Sequence, residues 1–449
     1  MVKKDSILSS LFSIRQISHK VQKGDISPVD LVNVCLSRIK KLNPILNSFI
    51  TVIDEQLIYK QAEISEKEIK QGNYFGPLHG IPFSVKDMFY TKGNRFTAGS
   101  RIFANYISQV DATAVKRMKK AGAILLGSNN LNEFASGING KNPFYGDSKN
   151  PWDQERISGG SSGGSAVAVA TGMAMVSLGT DTGGSIRVPS ALCGVVGLKP
   201  TYDLISKNNV FPLAPSLDHV GCITRSVWDA AIVLQCLSKK NRFDKNDENK
   251  NYSAFLNLKN LKNKKIVLGV PENYFLDFLH PEVEHIFCNF LKSLSSYNVK
   301  LEPIELHKSE KYYKSWRDIR LAEASEIHQV WLNSKKFYYS SEVKKMLIEG
   351  TKVSAIEYLQ AMHIIKEIRE EFLSLLQHRV DAIIVPTTVI PAPKLDENSV
   401  FINKDFLIDV REALLRNTIV FNSIGLPAIS IPLDFTREKG MPVGLQIVG

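Results

Sequence analysis

The sequence predicts an α/β protein, a sheet covered by helices on both faces, and three observations carry that prediction. Runs of consecutive apolar residues at 123–126, 266–270, 382–385, 428–431 and 443–448 have the length and composition of strands buried on both sides. Between them, 312–330 and 355–377 place apolar residues at helical spacing with polar residues opposite, as amphipathic helices do. Near the start, Ser27, Pro28 and Asp30 stand in the order of an N-cap, a proline at the first helical position and an acid in the first turn. Leu31, Val34, Cys35 and Arg38-Ile39 then follow helical spacing.

Taken in order, the first residues, Met-Val-Lys-Lys-Asp and Ser-rich sequence after them, contain no secretory apolar core. Ser37 and Lys40 have the S-x-x-K spacing of penicillin-binding enzymes, but they lie on the periodic helix and read as its solvated face. Residues 76–82 read as a turn, with His79 a loop histidine. A short apolar strand follows and ends in Lys86-Asp87. A lysine there is either a solvated strand end or, if desolvated, a base whose pKa falls from about 10.4 toward neutrality. Composition leaves both readings open.

Two Ser/Gly stretches come next, Gly159-Gly160-Ser161-Ser162-Gly163-Gly164-Ser165 and Thr182-Gly183-Gly184-Ser185. Glycine lets the backbone turn tightly and approach a ligand. A serine after such glycines offers a hydroxyl beside main-chain N–H groups, which is what acyl transfer requires of a nucleophile and its oxyanion donors. A flexible linker is excluded by the burial-grade apolar segments 166–170 and 176–178 between the stretches. Residues 159–163 also satisfy G-x-S-x-G, which would make Ser161 the nucleophile of an α/β-hydrolase with a later acid and histidine. That reading leaves Lys86 and the Asp181–Arg187 motif unexplained. Gly179 and Gly184 have P-loop spacing, but Ser185 and Ile186 stand where Lys and Ser/Thr are needed, so a nucleotide site is rejected.

Lys86 in Gly-Ile-Pro-Phe-Ser-Val-Lys-Asp, Ser161 in Gly-Gly-Ser-Ser-Gly-Gly-Ser, and Ser185 in Asp-Thr-Gly-Gly-Ser-Ile-Arg together resemble the amidase signature family. So do the stretches at 122–127, 132–135, 150–152 and 193–201. The resemblance runs from Ser27 to the last residue and is densest over 76–225. It implies one α/β domain over 1–449 built on a large mixed β-sheet covered by helices on both faces. It also implies a Ser-Ser-Lys triad: Ser185 as nucleophile, Ser161 as the bridging serine after a cis peptide bond, and Lys86 as terminal base. Thr182, Gly183, Gly184 and Ser185 match the turn whose N–H groups hold the oxyanion. Ala135 and Ser136 match a stretch lining the acyl pocket, while Ser162, Asp181 and Arg187 match supporting positions. The implied reaction is hydrolysis of a small-molecule carboxylic amide, with no cofactor and no metal, and the resemblance admits a homodimer.

The net charge of +11 raises a nucleic-acid reading. Its densest patch, 239–265, mixes both signs with asparagines and reads as solvated surface. Five cysteines without a C-x-x-C pair or metal spacing read as reduced core residues of a cytoplasmic protein. The longest mostly apolar run, 165–178, is too short and polar to span a bilayer.

A runner-up within the same family is the glutaminase component, the A chain, of a tRNA-dependent amidotransferase, where nucleic acid would enter only through a partner. Aligning on Asn422-Ser423-Ile424-Gly425-Leu426-Pro427 places Leu415 where that subfamily has an aspartate, and its arginine pair becomes Lys345 and Met346. An apolar side chain cannot pair with a glutamine α-ammonium, so a stand-alone amidohydrolase is favoured. A non-catalytic scaffold is disfavoured by the complete set Lys86, Ser161 and Ser185. Pocket residues are expected from 203–213, where Asp203 either contacts substrate or faces water, and from 316–331. Family members continue past the final strand into a closing helix, so the chain ending at Gly449 is expected to be a shortened form.

Overall fold

The computed structural model of the chain describes residues 13–238, 265–402 and 406–449. The basic stretch 239–264 lies outside them. Eleven strands form one mixed sheet. In chain order they are β1 (Phe49–Val52), β2 (Pro82–Lys86), β3 (Ile124–Asn129), β4 (Val176–Asp181), β5 (Val196–Lys199), β6 (His219–Thr224), β7 (Ile266–Pro271), β8 (Val299–Ile304), β9 (Ala382–Pro386), β10 (Ala428–Phe435) and β11 (Pro442–Val448). Their order across the sheet is β1-β3-β2-β4-β6-β5-β10-β11-β9-β7-β8. β3, β2 and β4 are mutually parallel, as are β9, β7 and β8, while the strands between these groups pair antiparallel.

Successive residues of a strand point to opposite faces. Every residue of β2, β3 and β4 is buried, so both faces of this part of the sheet are covered. The five apolar runs singled out in the sequence are all strands, with ends within a few residues of those expected. The two amphipathic helices span Tyr312–Ser334 and Ala355–His378. The helix capped by Ser27 spans Pro28–Leu46, with a reciprocal capping box to Asp30. Ser37 and Lys40 lie on its outer side, and Lys40 pairs with Glu55 at 2.8 Å. Among the described residues no helix is long and apolar enough to cross a membrane.

One topological fact places the site. β2 and β4 are parallel neighbours, so their carboxyl ends leave the sheet on the same side. β2 ends in Lys86 and β4 in Asp181, and the turn 182–186 follows directly. The helix Gly163–Thr171 precedes β4 and packs on β2, β4 and β6, so its first turn, next to Ser161 and Ser162, opens at that same edge.

Candidate functional site

Lys86 is fully buried at the end of β2. Its Nζ lies 2.7 Å from Ser161 Oγ and 2.8 Å from Thr180 Oγ1. Burial pulls its pKa down from 10.5 to about 7, against the upward push of the Asp181 and Asp218 carboxylates. Near neutral pH about half of such a lysine carries a free lone pair, which the adjacent hydroxyl can reach. The desolvated reading of Lys86 is therefore the one the fold adopts.

Ser161 is completely buried and follows a cis Gly160–Ser161 peptide. Its neighbour Ser162 ties the two Ser/Gly stretches together. The Ser162 N–H donates to the Ser185 carbonyl at 3.1 Å, and its Oγ donates to the Thr180 carbonyl at 3.2 Å. Ser185 has a rim of exposure and lines a narrow cavity of about 20 Å³. Of the two serines, Ser185 is the one a ligand in that cavity reaches. His79 is buried and spent locally, 3.1 Å from Glu68 and stacked on Phe75. Among the described residues no histidine hydrogen-bonds Ser161 or Ser185, which removes the acid–histidine partners an α/β-hydrolase reading needs.

The turn after β4 is organised by the Asp181 carboxylate. It accepts the backbone N–H groups of Gly184 at 2.7 Å, Ile186 at 3.0 Å and Arg187 at 3.3 Å. Arg187 adds Nε at 3.1 Å and Nη2 at 3.0 Å, and Asn422 Nδ2 adds a contact at 2.9 Å. Burial pushes this carboxyl up, but Arg187, Lys199 and Asn422 outweigh burial and hold it below the usual carboxylate range. Part of the sequence expectation changes here. The Gly184 N–H faces Asp181 rather than open space, so it is not free to hold an oxyanion. Among the described residues the N–H groups of Gly183 and Ser185 meet no protein acceptor. Thr182 contributes differently, its carbonyl accepting from Trp316 Nε1 at 2.9 Å and its Oγ1 donating to Asp218 at 2.5 Å. Gly183 is close to obligatory, because a Cβ there would lie 2.7 Å from Trp316 Cζ2.

Ala135 and Ser136 stand on an unusual turn in which Phe134 and Ala135 both have positive φ, 49° and 58°. The Phe134 ring anchors it by packing against Phe211, His328 and Tyr339. Ala135 lines the Ser185 cavity together with Leu213, Trp316, Arg320, Arg411 and Leu415. Ser136 lines an adjoining cavity with Lys345 and Met346, and Arg320 borders both. The two segments expected to supply pocket residues each do so, through Leu213 and through Trp316 and Arg320. Asp203 sits instead on an exposed turn.

Sequence reasoning missed Thr180, Asp218, Asn422, Gln446 and Arg320. Thr180 and Asp218 adjoin motif residues, but nothing in their local text marks them as partners of Lys86 and Thr182. Asn422 and Gln446 reach Arg187 across 235 and 259 residues, a separation no local pattern encodes.

Fold and comparisons together define a hydrolase of amide C–N bonds. The sequence profile described as Amidase matches residues 30–449, and the chain belongs to that family. The chain is 34% identical to the A component of glutamyl-tRNA(Gln) amidotransferase from Carboxydothermus hydrogenoformans, over 97% of this chain and 93% of that protein. A crystal structure of an amidase superposes with a TM-score of 0.87 at 33% identity, covering 98% of this chain and 95% of that one. The corresponding amidotransferase component from Thermotoga maritima superposes with a TM-score of 0.77 at 34% identity, over 98% and 90% of the two chains.

Proposed function

We propose that this chain hydrolyses a carboxylic amide to an acid and ammonia or an amine through an acyl-enzyme on Ser185. The observation that carries the reading is the 2.7 Å contact of a fully buried Lys86, its pKa lowered to about 7, with Ser161 Oγ. Neutral Lys86 takes the Ser161 proton as Ser161 takes that of Ser185, and Ser185 Oγ attacks the amide carbonyl. The Gly183 and Ser185 N–H groups hold the oxyanion, with Asp181 and Arg187 fixing the turn that presents them. Collapse breaks the C–N bond, Ser161 returns a proton to the leaving nitrogen, and water cleaves the ester by the same relay in reverse. All five cysteines are free, which supports a reducing cytoplasm.

A second reading, the glutaminase component of an amidotransferase, is favoured by the identity to such proteins over nearly the whole chain. Leu415 lines the Ser185 cavity and offers no partner to the α-ammonium of glutamine, which supports the stand-alone reading.

Labelling with a fluorophosphonate followed by peptide mapping tests the nucleophile without knowledge of the substrate. The adduct is expected on Ser185 and is expected to disappear in Ser185→Ala. An adduct on Ser161 would overturn the assignment. Ammonia release from glutamine by the isolated chain, faster than from simple monoamides, would overturn the preference for the first reading.

A further inference from the structure

Arg320 is a buried cation that, among the described residues, meets no carboxylate. It sits on the helix Tyr312–Ser334 with 6% of its surface exposed. Its polar contacts are Met346 Sδ at 3.0 Å and Ser136 Oγ at 3.5 Å, its guanidinium lies 5.1 Å from the Trp316 ring centroid, and its Nε has no partner. Burial lowers its pKa to about 9, which still leaves it charged at neutral pH. Buried charges are ordinarily paired, because an uncompensated one is strongly unfavourable. An arginine left this way presents five donors in a rigid fork matched to a carboxylate.

What Arg320 faces decides the matter. It lines the same cavity as Ser185, and so does Arg411, whose nearest acid, Glu342, is a loose 3.9 Å away. Among the described residues no acidic side chain lines that cavity. Leu213, Ile138 and Leu415 make much of the wall apolar. The cavity is narrow, with about 20 Å³ of enclosed space, which restricts the acyl chain it takes to a short one.

We infer that the acyl part of the substrate ends in a carboxylate held by Arg320, with Arg411 at the side, so that the substrate class is the monoamide of a short dicarboxylic acid lacking an α-ammonium group. This rests on Ser185, which lines the same cavity, being the nucleophile. The products are a dicarboxylate and ammonia or an amine: the amide C–N bond breaks and water supplies the new carboxylate oxygen. Leu415 supports the absence of an ammonium, since no anion stands ready for one.

The test is calorimetric titration of Ser185→Ala, alone and combined with Arg320→Met or Arg320→Lys, with succinate, glutarate and the neutral control butyramide. A dicarboxylate is expected to bind, and Arg320→Met to weaken it by roughly tenfold to a hundredfold, the worth of a charge-assisted hydrogen bond. Arg320→Lys is expected to lose less, and butyramide to bind weakly and equally in all forms. Unchanged dicarboxylate affinity in Arg320→Met, no dicarboxylate binding at all, or butyramide binding as tightly as succinate would overturn the inference. If Arg320→Met does not fold, Arg411→Leu carries the same comparison from the side of the cavity. Because binding is read without turnover, failure here stays separate from failure of the Ser185 assignment, which the probe adduct reports.

Discussion

Two buried arginines flank Ser185, and they are built in opposite ways. Arg187, beneath the turn, is wholly enclosed and spends its donors on protein: Nε and Nη2 on Asp181, Nη1 on Gln446 at 2.6 Å, and Nη2 on Asn422 at 2.5 Å. Arg320, on the wall of the Ser185 cavity, has a thioether, a distant hydroxyl and a ring face, and an Nε with nothing. The same side chain therefore does two jobs. A guanidinium saturated by protein acceptors fixes the turn; one left unsaturated beside a cavity is available to a ligand. Burial alone does not distinguish them, whereas counting acceptors does.

Removing the saturated arginine gives the largest expected effect. Arg187→Met strips Asp181 of its hydrogen-bonded cation in the interior, and breaking a buried pair from one side costs about 3–5 kcal/mol. Urea or thermal unfolding is expected to show a loss of that size. Arg320→Met removes a charge that had no partner to strand, so its stability is expected to move by about 1 kcal/mol or less, and upward rather than downward. Equal losses in the two variants would erase the distinction between them.

Lys86 is a third buried cation and sharpens the contrast through pH. The unfolded chain keeps a proton on it up to about 10.5, the folded chain only up to about 7. Between those values the unfolded state holds more protons, so stability rises with pH and is lost as pH falls toward 7. Lys86→Met is expected to abolish that slope. Its stability relative to the parent should be higher at pH 7 than at pH 10 by on the order of 4 kcal/mol, while turnover falls by about 10⁴-fold or more. In the parent, turnover is expected to climb as pH rises through about 7, following the neutral fraction of Lys86. A flat profile across the neutral range and into mild alkali would remove lysine as the base.

How much of this could be read from the chain alone follows the same division. Positions whose meaning is local were readable: the apolar runs of β3, β7, β9, β10 and β11, the Ser27 cap, and the motif residues Lys86, Ser161 and Ser185, which the fold gathers at one sheet edge. β8 escaped because it is a half-exposed edge strand, Val-Lys-Leu-Glu-Pro-Ile, whose charges disguise it. The Gly184 N–H was misjudged because its orientation depends on Asp181, three residues back but buried beneath the turn. Arg320 was invisible for a different reason. On an amphipathic helix an arginine between Ile319 and Leu321 reads as the solvated face, and only the packing of Trp316 and Met346 against it reveals that it points inward.

The comparison can also be run in reverse, by giving Arg320 the kind of partner Arg187 already has. Leu415 shares the cavity with both Arg320 and Arg411, so Leu415→Asp places a carboxylate among two guanidinium groups and changes the cavity from an anion receptor into a self-neutralised one. An aspartate beside arginine is stabilised in its charged form, so it competes with a ligand carboxylate at neutral pH. Dicarboxylate affinity is expected to fall by about tenfold, with little change in folding stability, and calorimetry with succinate reads it directly. The same substitution supplies an anion for an α-ammonium group, so glutamine is expected to gain in affinity as succinate loses. If succinate binding is untouched by a carboxylate at position 415, the two arginines do not act on the ligand together, and the resemblance between Arg320 and a receptor fails at its weakest joint.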